Sequence, residues 1–273
     1  MTESPPSPSV STLSFRAKYE AAAARNQSLV CVGLDPDPAR MDGVGTVEFL
    51  RGVIEATADL VCCYKPNAAF FESAGAEGWE QLHAVMALIP PEIPVLLDAK
   101  RGDVGNTSQF YARAVFEGLG ADAVTANPYL GSDGLEPFFA YEQRHTFVLC
   151  RTSNPGAREL QDQRLEDGRL LYEHVAALAN TWNTRGNVGL VVGATYPEEA
   201  ARIRAICPEL LFLMPGVGAQ DGDLEAAVRA SVDARGGGIL VNASRSVLYA
   251  GSPEESRAEA ARLRDAINTA RGA

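Results

Sequence analysis

From Leu29 onward the chain alternates short, almost unbroken apolar runs with longer stretches whose apolar residues return every three or four positions. A strand with one face in water alternates apolar and polar residues, whereas a parallel strand covered on both faces reads as a continuous run. The runs here are of the second kind. They predict strands at Leu29–Asp35, Leu60–Pro66, Pro94–Lys100, Asp122–Asn127, Thr146–Arg151, Val188–Ala194, Leu210–Gly216 and Gly238–Ala243. Between them the spacing predicts helices at Val47–Asp59, Trp79–Ile89, Thr107–Leu119, Leu170–Arg185, Asp223–Ala234 and Pro253–Ala270. The last has its own start signal, with Ser252 as cap, Pro253 at the first helical position and acidic residues in the first turn.

Eight β–α units without a break in composition predict an α/β protein: a single (β/α)8 TIM barrel. Phe15–Arg25 reads as an extra N-terminal helix that closes the barrel floor. Such a barrel takes about 250 residues. A chain of 273 residues is therefore expected to hold one domain at 11–273 after a Ser/Pro-rich flexible leader at 1–10, with no room for a second. Periodicity does not report closure, so a doubly wound open sheet stays open as an alternative. The units are too dissimilar for a solenoid. The longest irregular piece, Ser153–Gly168, follows the fifth strand, where a loop of that length is functional or mobile.

The balance of 24 Lys+Arg against 35 Asp+Glu gives a formal net charge of −11. That speaks against coating nucleic acid or an anionic membrane, which depends on attraction between phosphate and Lys or Arg. A small anion remains possible where a few basic groups converge. The first fifteen residues have neither the basic nor the apolar region of a signal peptide, and no apolar run approaches the ~20 residues of a membrane span. The five cysteines, Cys31, Cys62, Cys63, Cys150 and Cys207, form no C-x-x-C and read as small buried hydrophobes in a reducing cytoplasmic setting. His83, His145 and His174 are too far apart in sequence to promise a histidine-built metal site.

In a barrel, chemistry gathers at the C-terminal ends of the strands. Asp35 ends the first predicted strand, Lys65 lies at the end of the second, and Asp98 and Lys100 lie at the end of the third. Two apart on a strand, Asp98 and Lys100 share a face, with Ala99 turned to the helices. Asp103 follows at the strand-to-helix turn, and Thr107, four residues on, falls on the same side of the next helix. Opposed charges so placed offset one another's burial and set up a lysine able to deliver a proton. A structural ion pair for Asp98–Lys100 and a helix cap for Asp103 are the plainer alternatives. Asp35 and Lys65 at neighbouring strand ends favour a site.

A second group lies across the barrel. The seventh strand runs into Pro215–Asp223, whose Gly216 and Gly218 expose backbone N–H groups, and Arg245 sits just past the eighth. Loops after strands seven and eight commonly hold phosphate in this architecture, and a guanidinium suits its oxygens. Gly236–Gly238, ahead of the eighth strand, reads as a turn on the opposite face. Ser153, just past the fifth strand, offers a hydroxyl to a planar amide, or else simple turn chemistry. Asn127 and Pro128 lie at the same end, and Asp133 is expected to cap the following helix.

The stretch Asp98-Ala-Lys100-Arg-Gly-Asp103-Val-Gly-Asn-Thr107 resembles the D-x-K-x-x-D-[IV]-G-N-T signature of the orotidine 5′-phosphate decarboxylases. Leu34-Asp35, Tyr64-Lys65-Pro66-Asn67, Ser153, Pro215 to Gln220 and Arg245-Ser246 extend the likeness over nearly the whole chain. YKPN and TANPYLGSDGLEPF are similar to the longer bacterial (type 2) subgroup. The resemblance implies metal-free and cofactor-free loss of CO₂ from orotidine 5′-monophosphate, giving UMP in pyrimidine biosynthesis. It implies that Lys65, Asp98, Lys100 and Asp103 form an alternating charged array. Asp98 and Asp103 would crowd the leaving carboxylate, and Lys100 would stabilise and protonate the C6 carbanion. Asp35 and Lys65 would hold ribose hydroxyls, Ser153 the pyrimidine amide, and Gln220 with Arg245 the phosphate. A homodimer is implied, with Asp103 and Thr107 entering the partner's site. The chain departs from the pattern in the long acidic loop after Ser153, with Glu159, Asp162, Glu166 and Asp167, which leaves open which loop closes over the site. Two rivals stand beside it: a Mg²⁺-dependent hexulose-phosphate synthase, which shares the Asp-x-Lys-x-x-Asp core but not the G-N-T continuation, Ser153 or Gln220, and a non-catalytic nucleotide-phosphate-binding module on the same barrel.

Overall fold

A computed structural model of the chain describes residues 13–216 and 224–272. The expected leader at 1–10, Gly218 and Gln220 lie outside the described residues. Eight strands form one parallel sheet: β1 (Val30–Leu34), β2 (Cys63–Pro66), β3 (Leu96–Arg101), β4 (Ala123–Ala126), β5 (His145–Arg151), β6 (Val188–Val192), β7 (Phe212–Met214) and β8 (Ile239–Ala243). Their order is β2-β1-β8-β7-β6-β5-β4-β3. The two ends of that order meet through parallel bridges Tyr64↔Val95 and Asn67↔Asp98, and Tyr64 N–H donates to Pro94 O at 3.1 Å. The sheet therefore closes into a barrel, and the open-sheet alternative is excluded.

Every predicted strand is present, and most are shorter than expected. The second spans only Cys63–Pro66, with Cys62 N–H donating to Val30 O at 2.8 Å just ahead of it, because Leu60 and Val61 form a buried approach to the strand. An apolar run reports burial, and burial begins before pairing does. The seventh keeps only Phe212–Met214 for the same reason. The predicted helix 107–119 is an α-helix at Gly105–Arg113 that widens into a π-helical turn at Ala114–Gly118. Ser252 and Glu255 cap Pro253–Arg271 reciprocally, as the start signal implied. Asp133 does not cap its helix. It lies inside the first turn of Ser132–Phe139, where a carboxylate still favours the helix dipole.

The N-terminal helix, Phe15–Asn26, closes the floor. Phe15 stacks on His145 at 5.1 Å and meets Phe147 edge-on at 5.7 Å. The Tyr19 hydroxyl donates to Ile239 O at 2.9 Å, and Lys18 reaches Asp122 at 2.8 Å. Asp122 also accepts from Val95 N and pairs with Arg144. All five cysteines are buried and free. Among the described residues no helix is long and apolar enough to cross a membrane.

The loop after β5 is more ordered than its length implied. It contains the helix Ala157–Gln161, and an antiparallel bridge, Arg164↔Leu170, closes its base. Gln161 exchanges hydrogen bonds with Thr152 N and Oγ1 at 2.9 and 2.8 Å. Asp162 pairs with the buried Arg151 at 2.8 Å. These ties hold the segment against the strand that launches it.

Candidate active site

The C-terminal ends of the strands enclose a cleft with two lobes. The larger, of about 310 Å³, is lined by Asp35, Lys65, Asp98, Gly216 and Arg245 among others. The smaller, of about 220 Å³, is lined by Lys65, Asp98, Lys100, Thr125 and Ser153, with Leu149, Val191 and Leu213 as apolar wall. Lys65 and Asp98 belong to both and mark the junction.

At that junction the charges alternate. Lys65, on β2 and 3% exposed, donates to Asp98 Oδ2 at 3.1 Å and stands 4.0 Å from Asp35. Lys100 donates to Asp98 Oδ1 at 2.6 Å. Burial alone would raise the Asp98 carboxyl, but Lys65, Lys100 and hydrogen bonds from Lys100 and Thr125 outweigh it and hold the group well below the usual carboxylate range. Burial would likewise lower the Lys65 ammonium, and Asp35 with Asp98 instead keeps it above an ordinary lysine. Both directions describe one stable arrangement of ionised groups. Asp98 and Lys100 face one another as their spacing predicted, although the backbone between them is irregular. Lys100 has φ +47°, the left-handed region, and β3 shifts register against β4 between Leu97 and Arg101.

Asp103 and Thr107 lie apart from this group. The Asp103 carboxylate accepts from the next backbone N–H, Val104, at 2.7 Å, and Thr107 is exposed on Gly105–Arg113. Asp103 does not cap that helix, and among the described residues it has no ion pair with Lys65 or Lys100. Its turn is firmly placed. Ser108 Oγ is 2.8 Å from Asp103 O and 2.7 Å from Gly134 O. Gly102 passes so close to Asn127 O that a Cβ would sit 2.6 Å from it.

At the far end, Arg245 opens the short helix Arg245–Leu248 after β8. Gly216, with φ +98°, turns the chain after β7 beside Ser153. Ser153 also packs closely against Gly193, where a Cβ would sit 3.1 Å from it. Two residues that the sequence reading passed over shape the site. Tyr249 hydroxyl donates to Asp35 O at 2.9 Å and accepts from Asp37 N at 2.7 Å, while the Arg40 guanidinium lies 3.9 Å over its ring. Thr125, on β4, contacts Asp98 directly at 2.8 Å. Its signal was a lone hydroxyl inside an apolar strand; Tyr249 had no local signal. Among the described residues no group of three or more His, Cys, Asp or Glu could hold a metal ion.

Comparison with known proteins gives a consistent set of likenesses. Residues 28–260 match the model of the "Orotidine 5′-phosphate decarboxylase / HUMPS family". An orotidine 5′-phosphate decarboxylase of Roseiflexus castenholzii is 54% identical over 269 residues, covering 94% of this chain and 98% of the relative. The structure of Leishmania donovani OMP decarboxylase superposes with TM-score 0.87 at 47% identity, covering 96% of this chain and all of that one (100%). Leishmania donovani UMP synthase superposes with TM-score 0.90 at 49% identity; the match covers 96% of this chain and spans 57% of that longer one.

Proposed function

The chain belongs to the orotidine 5′-phosphate decarboxylase / HUMPS family, and we propose that it converts orotidine 5′-monophosphate to UMP and CO₂ with Lys100 as proton donor. The observation that carries this reading is Asp98 held between Lys65 and Lys100 at the junction of the two lobes. The phosphate lies toward Arg245 and the Gly216 backbone N–H; Gly218 and Gln220, expected from the sequence to share this task, lie outside the described residues. The ribose hydroxyls lie on Asp35 and Lys65, and the pyrimidine enters the smaller lobe, where Ser153 reads its amide edge.

The chemistry follows from charge fixed in advance. Asp98 stays ionised, so the substrate carboxylate is crowded by a like charge as it binds. The C6–carboxylate bond breaks, CO₂ leaves, and the electron pair stays on C6. The Lys100 ammonium stabilises that pair and then transfers a proton to form the C6–H bond, after which solvent restores the lysine proton. Preorganised charge of this kind acts where charge develops and needs no reorganisation during the step. Contacts to the remote phosphate hold the reacting end in place.

A cytoplasmic homodimer completes the proposed site, with Asp103 and Thr107 supplied to the partner's cleft. In support, Val104 and Phe110 are 59% and 61% exposed beside these residues. Tyr129 and Leu130 are exposed on the segment between Asn127, whose carbonyl approaches Gly102, and Gly134, which packs on the Asp103 carbonyl. Apolar side chains clustered this way mark a surface covered by protein.

The test follows the ultraviolet change of orotidine monophosphate, with and without EDTA. Turnover unaffected by chelator is expected. Absence of CO₂ release by the folded protein would leave a nucleotide-binding barrel, and chelator-sensitive activity on a sugar phosphate would point to the synthase branch of the family.

A further inference from the structure

We infer that Thr125 is a positioning residue for the decarboxylation, setting the backbone of Lys100 and the carboxylate of Asp98 through one hydroxyl group. The inference rests on the function proposed above. β3 and β4 pair as Leu97↔Val124 and Arg101↔Ala126, so Asp98, Ala99 and Lys100 together stand opposite Thr125 alone. A bulge of this kind removes backbone N–H groups from the sheet ladder, and buried N–H groups need another acceptor.

Thr125 Oγ1 supplies it twice, accepting from Ala99 N at 3.1 Å and from Lys100 N at 2.9 Å. With both donors on its oxygen, its single proton is left for Asp98 Oδ1, 2.8 Å away. Three consecutive residues of the charged segment therefore share one side-chain anchor. Lys100 needs it, because a left-handed φ of +47° is unfavourable for a residue with a Cβ and persists only where the surroundings enforce it. Thr125 is 1% exposed and its side chain lines the smaller lobe beside Lys100, so the anchor lies on the wall where the pyrimidine is proposed to sit.

Valine has the same shape and strand preference but lacks the hydroxyl. Thr125→Val leaves both N–H groups unpaired and removes one donor from Asp98. The effect falls on the Lys100–Asp98 pair and spares the phosphate end of the cleft. In the full-length protein, kcat is expected to drop roughly tenfold or more while UMP affinity stays within about threefold, and Thr125→Ser is expected to recover most of the loss. Thr125→Val with wild-type kcat, or Thr125→Ser as slow as Thr125→Val, would overturn the inference. If Thr125→Val does not fold, judged by circular dichroism, Thr125→Ala against Thr125→Ser makes the same comparison. Wild-type protein without turnover would sink the proposed function and this inference together; wild-type turnover left unchanged by hydroxyl removal sinks this inference alone.

Discussion

Lys100 holds its ammonium 2.6 Å from Asp98 Oδ1, two positions away on the same strand, although Lys100 carries a left-handed backbone. A regular strand would point both side chains to one face. The distorted one brings the ammonium onto the carboxylate oxygen opposite the one held by Lys65. Lys100 is also the open member of the group, with its side chain 51% exposed against 3% for Lys65. It can regain a proton from solvent after each turnover, whereas Lys65 is walled in.

Lys100→Ala is therefore expected to lower kcat by roughly 10²–10⁴-fold, the range of a positioned proton donor, or to abolish measurable turnover. UMP binding, measured by calorimetry, is expected to change little, because the phosphate and ribose contacts remain. Near-normal turnover in this variant would remove the proton-donor assignment.

Asp103 and Thr107 lead to a mixing experiment. Asp103→Ala and Lys100→Ala homodimers are each expected to be nearly inactive. If partners share sites, a hybrid dimer holds one site with Lys100 from one chain and Asp103 from the other, both native. After subunit exchange of equal amounts, about a quarter of wild-type activity is expected, since half of the dimers are hybrid and half of their sites intact. No recovery in a sample shown by mass spectrometry to contain hybrids would place Asp103 outside the partner's site.

The strands and the ends they lead to were legible because a parallel strand buried on both faces leaves a continuous apolar run, and polar residues at its end stand out. Lys65, Asp98 and Lys100 were found in that way and lie together. Thr125 was not, because a hydroxyl inside a strand also reads as ordinary β-branched filling, and its task depends on a bulge in the neighbouring strand. Tyr249 was hidden for a different reason. It acts on Asp35, 214 positions away, and only closure of the barrel brings β8 beside β1. The acidic loop after Ser153 read as irregular because Gln161 and Asp162 find their partners, Thr152 and Arg151, back at the end of the preceding strand and just past it.

The floor of the barrel carries a second ionic cluster with a different task. Asp122 accepts from Lys18, Arg144 and Val95 N, all at one buried carboxylate. Removing it strands an ammonium that is only 10% exposed. Asp122→Ala is expected to cost about 3–5 kcal/mol, as for other buried pairs that lose one partner. Urea unfolding followed by circular dichroism measures the loss. Activity per folded molecule is expected to be preserved, because the floor and the cleft lie at opposite ends of the strands. An unchanged urea midpoint would show that Lys18 and Arg144 find water or another acceptor.

His145 gives the floor a pH dependence. Its ring lies between Phe15 and Phe147, and Nε2 has no hydrogen-bond partner. Burial, with a smaller contribution from Arg16, pushes its pKa down to about 3. Above the ordinary histidine value near 6.5 neither the folded nor the unfolded chain protonates this ring, and its full contribution to stability is present. As the pH falls below that value the unfolded chain takes up a proton that the folded protein refuses, so stability declines until about pH 3, where both states bind it. Over that window the loss approaches about 1.4 kcal/mol per pH unit. His145→Phe keeps an aromatic ring between the same neighbours and removes the titration. Carboxylates titrate in both proteins, so the informative quantity is the difference between their urea midpoints at pH 7, 6, 5 and 4. Wild type is expected to lose stability faster than His145→Phe below pH 6.5, and parallel curves would mean that the folded floor admits a proton as readily as the unfolded chain.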